Sequence, residues 1–219
     1  MKTLFMYDQI TPLNRQTHHA LRIKPSHQRW SFAKEAHTLL LAGTELPLAA
    51  LDYPCVFAPH GDQHTMMALV GLKAGQNLMV DDNGQWESNC YVPAFVRRYP
   101  FVLAEAPQDT QAGAHPMTVC IDSTFDGFNE TEGEALFDAE GNATPYFQQL
   151  QKFLSDYHAD MLRTAAFARR LVELDLLVDR QIDFQLGGQQ FKLNGFKVVD
   201  EAEVIGVPNW FMLREPADL

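Results

Sequence analysis

Residues 91–105 read Tyr91-Val-Pro-Ala-Phe-Val-Arg-Arg-Tyr-Pro-Phe-Val-Leu-Ala-Glu105, which groups aromatic and β-branched residues around two adjacent arginines and two prolines. Pro93 and Pro100 each lack a backbone donor, and each pushes the residue before it toward extended geometry. These prolines disfavour a long regular helix through the stretch. We predict instead one helical turn over Ala94 to Arg98 and, after the second proline, a short buried strand over Phe101 to Ala104.

Arg97 and Arg98 lie in this apolar stretch, and a guanidinium held against an apolar wall needs acceptors for its N–H groups. Residues 122–140 contain seven acids and no Lys or Arg, so we expect this segment to anchor both arginines. A solvated acidic loop and a bound divalent cation stay open as alternatives, although the calcium-loop spacing is absent. The acids are Asp122, Asp126, Glu130, Glu132, Glu134, Asp138 and Glu140.

The segment from Tyr91 to Phe101 resembles the most characteristic segment of the SapC family, bacterial proteins named after a surface-layer-associated locus. Further segments match in chain order, so the resemblance covers nearly the whole chain. Only the tail, Ile205 to Leu219, departs from the family pattern. The matching segments are Ser31–Ala33, Tyr53–Phe57, Gly71-Leu72, Asn77–Val80, Val119–Asp122, Glu132–Asp138, Thr144-Pro145 and Gly195–Glu201.

The resemblance implies an accessory protein, because family members are found beside flavin-dependent tryptophan-halogenase-like enzymes, cupin-like proteins and outer-membrane receptors. We therefore expect a noncatalytic binding protein whose partner is a protein or peptide, such as a halogenase-like enzyme or its peptide substrate. A metal-dependent enzyme and a component of surface-layer assembly stay open as alternatives. The predicted partner surface consists of Arg97, Arg98, Tyr99, Asp122, Glu132, Glu134 and Asp138.

Composition limits the other functions. A chain of 219 residues with 46% apolar and 21% charged residues is typical of one globular domain. The net charge of −11 disfavours binding to nucleic acid phosphates and to anionic membrane surfaces. The longest apolar runs, Leu39–Ala42 and Met66–Leu72, are far shorter than the ~20 residues of a spanning helix, so we expect no membrane insertion.

The cysteines and the first residues predict a cytoplasmic location. Cys55, Cys90 and Cys120 are far apart and odd in number, which indicates neither a disulfide framework nor a zinc ribbon. The start, Met1 to Asp8, reaches an acid before an apolar region of ~7–15 residues develops, unlike a secretory signal.

The pattern of the chain predicts an α+β fold in which an antiparallel sheet is backed by a long C-terminal helical region. Asn83-Gly84 predicts a hairpin turn that returns Trp86 to a sheet face. Phe32 to Leu41 is ambiguous between helix and strand, and Glu45 to Leu51 predicts a short helix. The predicted strands are Leu4–Tyr7, Cys55–Ala58, Met66–Leu69, Asn77–Val80 and Met117–Ile121.

A single domain is expected, with a β-rich part over about 1–121, an acidic loop over 122–143, a helical region over 144–178, and a β-meander and tail over 179–219. Thr144 and Pro145 are suited to cap a helix. Its apolar stripe continues to about Leu177, so we expect either a bend near His158–Thr164 or a helix that lies across the whole sheet. The meander is predicted to have three strands, with Asn194-Gly195 as its second turn.

His60 and His64 are the candidates for a metal site, since a spacing of four places two imidazoles together on a helix. Gly61 and Pro59 favour a solvated hairpin loop at this place instead. The chain lacks a nucleophile elbow, a phosphate loop, a dinucleotide fingerprint and a zinc-protease motif. We therefore expect no cofactor and assign no catalytic residue.

Overall fold

The computed structural model describes residues 5–24, 29–61, 63–105, 117–186 and 188–200. Its helices are α1 (Leu46–Ala49), α2 (Ala94–Arg97) and α3 (Pro145–Glu173), with short 3-10 turns at Ser31–Ala33 and Gly43–Glu45. Its strands are β1 (Ile10–Pro12), β2 (Arg22–Ile23), β3 (Thr38–Leu40), β4 (Cys55–His60), β5 (Gln63–Leu69), β6 (Phe101–Glu105), β7 (Met117–Asp122), β8 (Phe128–Asn129), β9 (Glu134–Ala135), β10 (Leu177–Leu186) and β11 (Gln189–Val199).

The described strands form three antiparallel sheets, with the orders β10-β11-β4-β5-β3, β1-β7-β6 and β8-β2-β9. The hairpin of β4 and β5 supplies the centre of the largest sheet. In the second sheet β7 lies between a strand from the start of the chain and β6, which directly follows the arginine stretch. The predicted α+β class with antiparallel sheets and a long C-terminal helix is confirmed.

Helix α3 contacts strands of all three sheets, namely β5, β6 and β9. Thr144 caps it by accepting a hydrogen bond from the N–H of Phe147 at 3.3 Å, and Pro145 occupies the first position. The helix continues without a break for 29 residues, a length of about 44 Å. The predicted bend is therefore absent from this described segment, and the alternative of a helix across the sheets is correct. It ends four residues earlier than predicted because Leu177 begins β10.

The two largest groups of buried apolar side chains both pack against α3. The larger joins the five-stranded sheet to α3 and includes Phe95 and Val96 of the arginine stretch. The smaller lies between the other two sheets and the first half of α3, and it contains Phe101, Ile121 and Leu154. The arginine stretch thus contributes to both cores. No helix among the described residues is long and apolar enough to cross a membrane.

Several local predictions are wrong. Phe5 and Met6 lie in a turn, and the first strand begins at Ile10. Of the predicted strand Asn77–Val80, only Val80 pairs, forming an isolated bridge to Trp86. That bridge does confirm the predicted turn at Asn83-Gly84, whose glycine has φ +71°.

The predicted three-stranded meander is instead one long hairpin of β10 and β11. The register shifts between Arg180 and Ile182, opposite one extra residue in the segment from Leu193 to Phe196. Gly195 lies in that segment with φ +82°, so it forms a bulge rather than a turn. The predicted loop at 106–116 and the tail at 205–219 lie outside the described residues.

The acidic segment forms β8 and β9 rather than a continuous loop, and both strands pair with β2. Gly133 lies beside β2 with φ +86°, and a Cβ placed on it would lie 2.2 Å from the carbonyl oxygen of Ile23. Arg22 also donates a hydrogen bond to the carbonyl oxygen of Gly133 at 2.9 Å. This small sheet therefore requires glycine at position 133.

We predict that Gly133→Ala lowers the free energy of unfolding by about 3 kcal/mol, because the strain of a left-handed backbone adds to a clash with β2. Gly141→Ala is the matched control: Gly141 has φ +81° but no atom within 4 Å of its built Cβ. The control is expected to lose only about 1 kcal/mol. Urea unfolding measures both, and equal losses would contradict the close approach to β2.

Candidate functional site

The arginine stretch folds as its prolines predict, with α2 forming one short helical turn and β6 following it. Pro93 caps α2, and the side chains of Ala94, Phe95 and Val96 are buried. Arg97, the last residue of α2, is exposed, and Arg98, which follows it, is half-buried. The predicted local structure of this stretch is thus confirmed.

A buried carboxylate that the sequence analysis missed, Glu45, holds this stretch in place. One of its oxygens accepts hydrogen bonds from the N–H of Ala94 at 2.7 Å and from the hydroxyl of Tyr91 at 2.9 Å. The other accepts from the N–H of Ala42 at 2.9 Å. The sequence did contain a signal, because residues 35–72 include no Lys or Arg and a glutamate in such an apolar region needs other donors.

Arg97 is positioned by its own neighbours. Its Nε donates to the carbonyl oxygen of Val92 at 2.9 Å, and one Nη donates to the hydroxyl of Tyr91 at 3.1 Å. The guanidinium carbon lies 5.7 Å from the ring centre of Tyr91 and 5.4 Å from that of Phe153. These contacts fix the side chain at the surface while leaving other N–H groups of the guanidinium available to a partner.

Arg98 is surrounded by aromatic rings. Its guanidinium carbon lies 4.5 Å from the ring centre of Phe95, 5.4 Å from that of Tyr157 and 5.8 Å from that of Tyr7. The Nε atom is buried and has no hydrogen-bond partner among the described residues. The guanidinium therefore faces three rings and, because Arg98 is only half-buried, is also reached by solvent.

The prediction that the acidic segment anchors the two arginines is wrong in the part of the chain that the structure describes. The ion pairs found there do not include Arg97 or Arg98. The acidic segment is paired with β2 instead, where Lys24 forms an ion pair with Glu132 at 2.8 Å. Charge balance in the sequence could not reveal this, because β2 lies about a hundred residues before the acids and carries no strand pattern.

Asp122 is fully buried and is held by donors other than arginine. Its carboxylate accepts from the N–H groups of Asp8 at 2.8 Å, Gln9 at 3.1 Å and Thr124 at 3.2 Å. The hydroxyls of Thr124 at 2.7 Å and Tyr99 at 3.4 Å also donate to it. Burial acts to raise the pKa of Asp122, but the hydrogen bonds from Asp8, Thr124 and Gln9 outweigh it and lower that pKa.

Asp138 stabilises a turn rather than the arginines. It accepts hydrogen bonds from the N–H groups of Glu140 at 3.0 Å and Asn142 at 2.7 Å. The bond from the backbone of Asn142 is the main reason that the pKa of Asp138 is lowered. Asp138 therefore belongs to the predicted surface, but its hydrogen bonds stabilise the turn in which it lies.

His60 and His64 lie at the tip of the hairpin of β4 and β5, as the loop alternative predicted. Pro59 pairs with His64, and His60 pairs with Gln63. Side chains alternate between faces along a strand, so the two imidazoles lie on opposite faces of the hairpin. Among the described residues no three His, Cys, Asp or Glu side chains form a group that could hold a metal ion.

Three residues of the predicted surface, Arg97, Tyr99 and Glu134, line one cavity of about 230 Å³, which we call the Arg97 cavity. Pro100 and Phe101 are its buried members, whereas its charged members are exposed and therefore lie at its mouth. The described residues that line it are Ile23, Lys24, Arg29, Trp30, Arg97, Tyr99, Pro100, Phe101, Phe125, Glu134, Tyr146 and Leu150.

The aromatic walls of the Arg97 cavity are held by contacts behind them. Tyr99 stacks on Phe32 with 3.9 Å between ring centres, and Phe125 meets it edge-on at 5.6 Å. Burial raises the pKa of Tyr99, and the carboxylate of Asp122 raises it further. Burial and Glu134 likewise raise the pKa of Tyr146, so both phenols stay neutral at physiological pH. Among the described residues that line it, the cavity offers ring surface and charge but no Ser, Cys or His.

A larger cavity of about 520 Å³ lies between α3 and the sheet of β6 and β7. Leu103, Val119 and Phe147 contribute to its apolar wall, and His158 lies at its edge. None of the residues of the predicted surface lines it. The Arg97 cavity is therefore the better candidate for the site indicated by the sequence.

We predict that Glu45→Gln lowers the free energy of unfolding by about 2 kcal/mol, because the amide loses one acceptor oxygen and the negative charge that binds the N–H of Ala94. Glu35→Gln, an exposed position ten residues earlier, is the matched control and should change stability by less than about 0.5 kcal/mol. Chemical denaturation measures both. A similar effect of the two substitutions would contradict the role of Glu45.

We predict that Asp122→Asn lowers stability by about 3 kcal/mol at pH 7, because an amide presents N–H groups to donors that need an acceptor. The folded-state pKa is lowered, so the carboxylate contributes fully above the ordinary Asp pKa of about 4. That contribution is lost as the pH falls through the lower folded pKa. The difference from wild type should therefore shrink in urea titrations below about pH 4.

The control for this prediction is Asp156→Asn, which changes an exposed acid on α3 that pairs with Lys152. Its stability should differ from wild type by less than about 1 kcal/mol at pH 7. If the loss in Asp122→Asn stayed constant from neutral to acidic pH, the substitution would act through packing rather than through the carboxylate charge.

Comparison with known proteins gives one finding about this chain. The SapC family model matches residues 13–208, a range that includes the arginine stretch, β2, β9 and α3. Comparisons with curated proteins and with solved structures give no significant match. The family match covers most of the sequence and confirms the resemblance seen in its motifs. The chain belongs to the SapC family.

Proposed function

We propose that this protein is a noncatalytic accessory protein that binds a protein or peptide partner through the Arg97 cavity. The observation that carries the proposal is that Arg97 and Tyr99 of the arginine stretch and Glu134 of the acidic segment line one cavity. These residues come from two of the segments that match the family pattern. A shared surface is the simplest reason for both segments to converge there.

The size and composition of the Arg97 cavity suit the capture of one side chain. Its volume of about 230 Å³ is below that of most small-molecule sites, which begin near about 300 Å³. Arginine and large aromatic residues dominate the binding energy of protein interfaces when they lie at a well-packed centre. Trp30, Tyr99 and Arg97 supply these groups here.

The contacts of Arg97 support the same role. Two of its N–H groups are used by Val92 and Tyr91, and Tyr91 is fixed in turn by Glu45. A partner therefore meets a guanidinium that is already oriented, which lowers the entropy cost of binding. A loosely held surface arginine would lose more side-chain entropy in the complex.

For the partner, we propose a flavin-dependent halogenase-like enzyme or its peptide substrate, as the family context implies. A cytoplasmic location is part of the proposal, and the three unpaired cysteines support a reducing compartment. The net charge of −11 favours a partner with a neutral or cationic outer surface. A role in surface-layer assembly would require a different partner.

The experiment measures binding of the purified halogenase-like enzyme, with and without substrate, to the immobilised full chain. Wild type should bind at micromolar concentration, and Arg97→Gln should bind at least about tenfold more weakly, a loss of about 1.4 kcal/mol. Arg163→Gln is the matched control, since Arg163 is an exposed arginine on α3 that pairs with Asp160. It should bind like wild type.

Two outcomes would count against the proposal. One is no complex of wild type at micromolar concentration with substrate present. The other is equal binding by wild type, Arg97→Gln and Arg163→Gln, which would move the interface away from the Arg97 cavity. Circular dichroism of each variant establishes that any loss of binding does not come from unfolding.

A further inference from the structure

We infer that the group that enters the Arg97 cavity is an aromatic side chain next to a carboxylate on the partner. This inference rests on the proposed function and adds the chemical class of the anchor. It follows from two independent properties of the cavity, the nature of its walls and the charges at its mouth.

The walls are suited to an aromatic ring. Trp30, Tyr99, Phe125 and Tyr146 are half-buried and present ring surface to the cavity. A volume of about 230 Å³ holds one ring system with its attachment to a backbone. Rings pair favourably edge-to-face or offset with other rings, beyond the effect of the buried area. An aliphatic group of similar size would lack this contribution.

The charges at the mouth favour an anion. Lys24 is paired with Glu132, so among the described residues that line the cavity the charged groups without an ion pair are Arg29, Arg97 and Glu134. Arg29 lies 4.7 Å from the ring centre of Trp30 and makes no hydrogen bond to another described residue. Two guanidinium groups against one carboxylate give a local excess of positive charge.

This local sign is opposite to that of the whole chain, whose net charge is −11. The net charge therefore opposes the approach of anions in general, whereas the positive excess at this place attracts them, which favours selectivity as well as affinity. Guanidinium groups also bind carboxylates through two parallel hydrogen bonds. A carboxylate beside the ring would meet Arg97 and Arg29 at the mouth.

The test uses three small probes with the full chain: N-acetylphenylalanine, its neutral amide, and N-acetylleucine. Titration is followed by NMR of the protein amides and gives the dissociation constant of each probe. The acid should bind at least about fivefold more tightly than the amide and than N-acetylleucine, a preference of about 1 kcal/mol. Amide shifts should be largest in residues that line the Arg97 cavity.

Two variants locate the carboxylate. Arg97→Gln and Arg29→Gln should each weaken binding of the acid at least about threefold, while the affinity for the amide stays within about twofold of wild type. Arg163→Gln is the control and should bind all three probes as wild type does. Arg29 is exposed and makes no hydrogen bond to another described residue, so we expect its substitution to keep the fold, which circular dichroism checks.

Each outcome decides the inference. Equal affinity for the acid and the amide would overturn the inferred preference for a carboxylate. Equal affinity for the phenyl and leucyl acids would overturn the inferred preference for an aromatic ring. No binding of N-acetylphenylalanine up to about 10 mM would overturn both. The proposed function fails separately. If binding of the partner enzyme depends on Arg97 but N-acetylphenylalanine does not bind, the proposed function stands and the inference fails. If N-acetylphenylalanine binds as expected but the partner enzyme does not depend on Arg97, the inference stands and the proposed function fails.

Discussion

The buried carboxylate of Glu45 is the interaction on which the arginine stretch depends. It accepts from the first N–H of α2, from the hydroxyl of Tyr91 and from the backbone of Ala42, so one side chain joins two distant parts of the chain. A buried acid is costly unless its lone pairs are satisfied, and here each oxygen has a donor. Tyr91 in turn orients Arg97. The position of the exposed guanidinium is thus set by an acid below the surface.

The two neighbouring arginines show different solutions to the same electrostatic problem. Arg98 is half-buried and faces the rings of Phe95, Tyr157 and Tyr7, and none of the ion pairs among the described residues includes it. Arg97 remains at the surface, where its charge is solvated and available. Their contacts explain why one residue of the pair is structural and the other lines the cavity. The acids that were expected to hold both arginines have other partners: Glu132 pairs with Lys24 beside β2, Asp138 stabilises a turn, and Asp122 binds donors at the end of β7.

Local signals in the sequence predicted the parts of the fold that depend on neighbours along the chain. Prolines defined α2 and β6, Thr144 and Pro145 placed the start of α3, and Asn83-Gly84 gave a turn. Pairing between distant segments was beyond such signals. β2 has only two residues, and its partners follow about a hundred residues later. The residues of the predicted surface likewise do not all lie together, because the charges in a sequence give no information about distances in the fold. Arg97, Tyr99 and Glu134 meet in one cavity, while Asp122 and Asp138 serve structural roles.

The position of β1 affects how the protein can be shortened. The family match begins at residue 13, but Ile10–Pro12 pair with the end of β7, and the backbone of Asp8 and Gln9 binds Asp122. A fragment trimmed to the matched range would leave the last three residues of β7, Cys120 to Asp122, as an open edge with unpaired backbone groups. Such an edge is a template for association between chains. The few residues before the family match therefore cover a strand edge that would otherwise be open to pairing between chains.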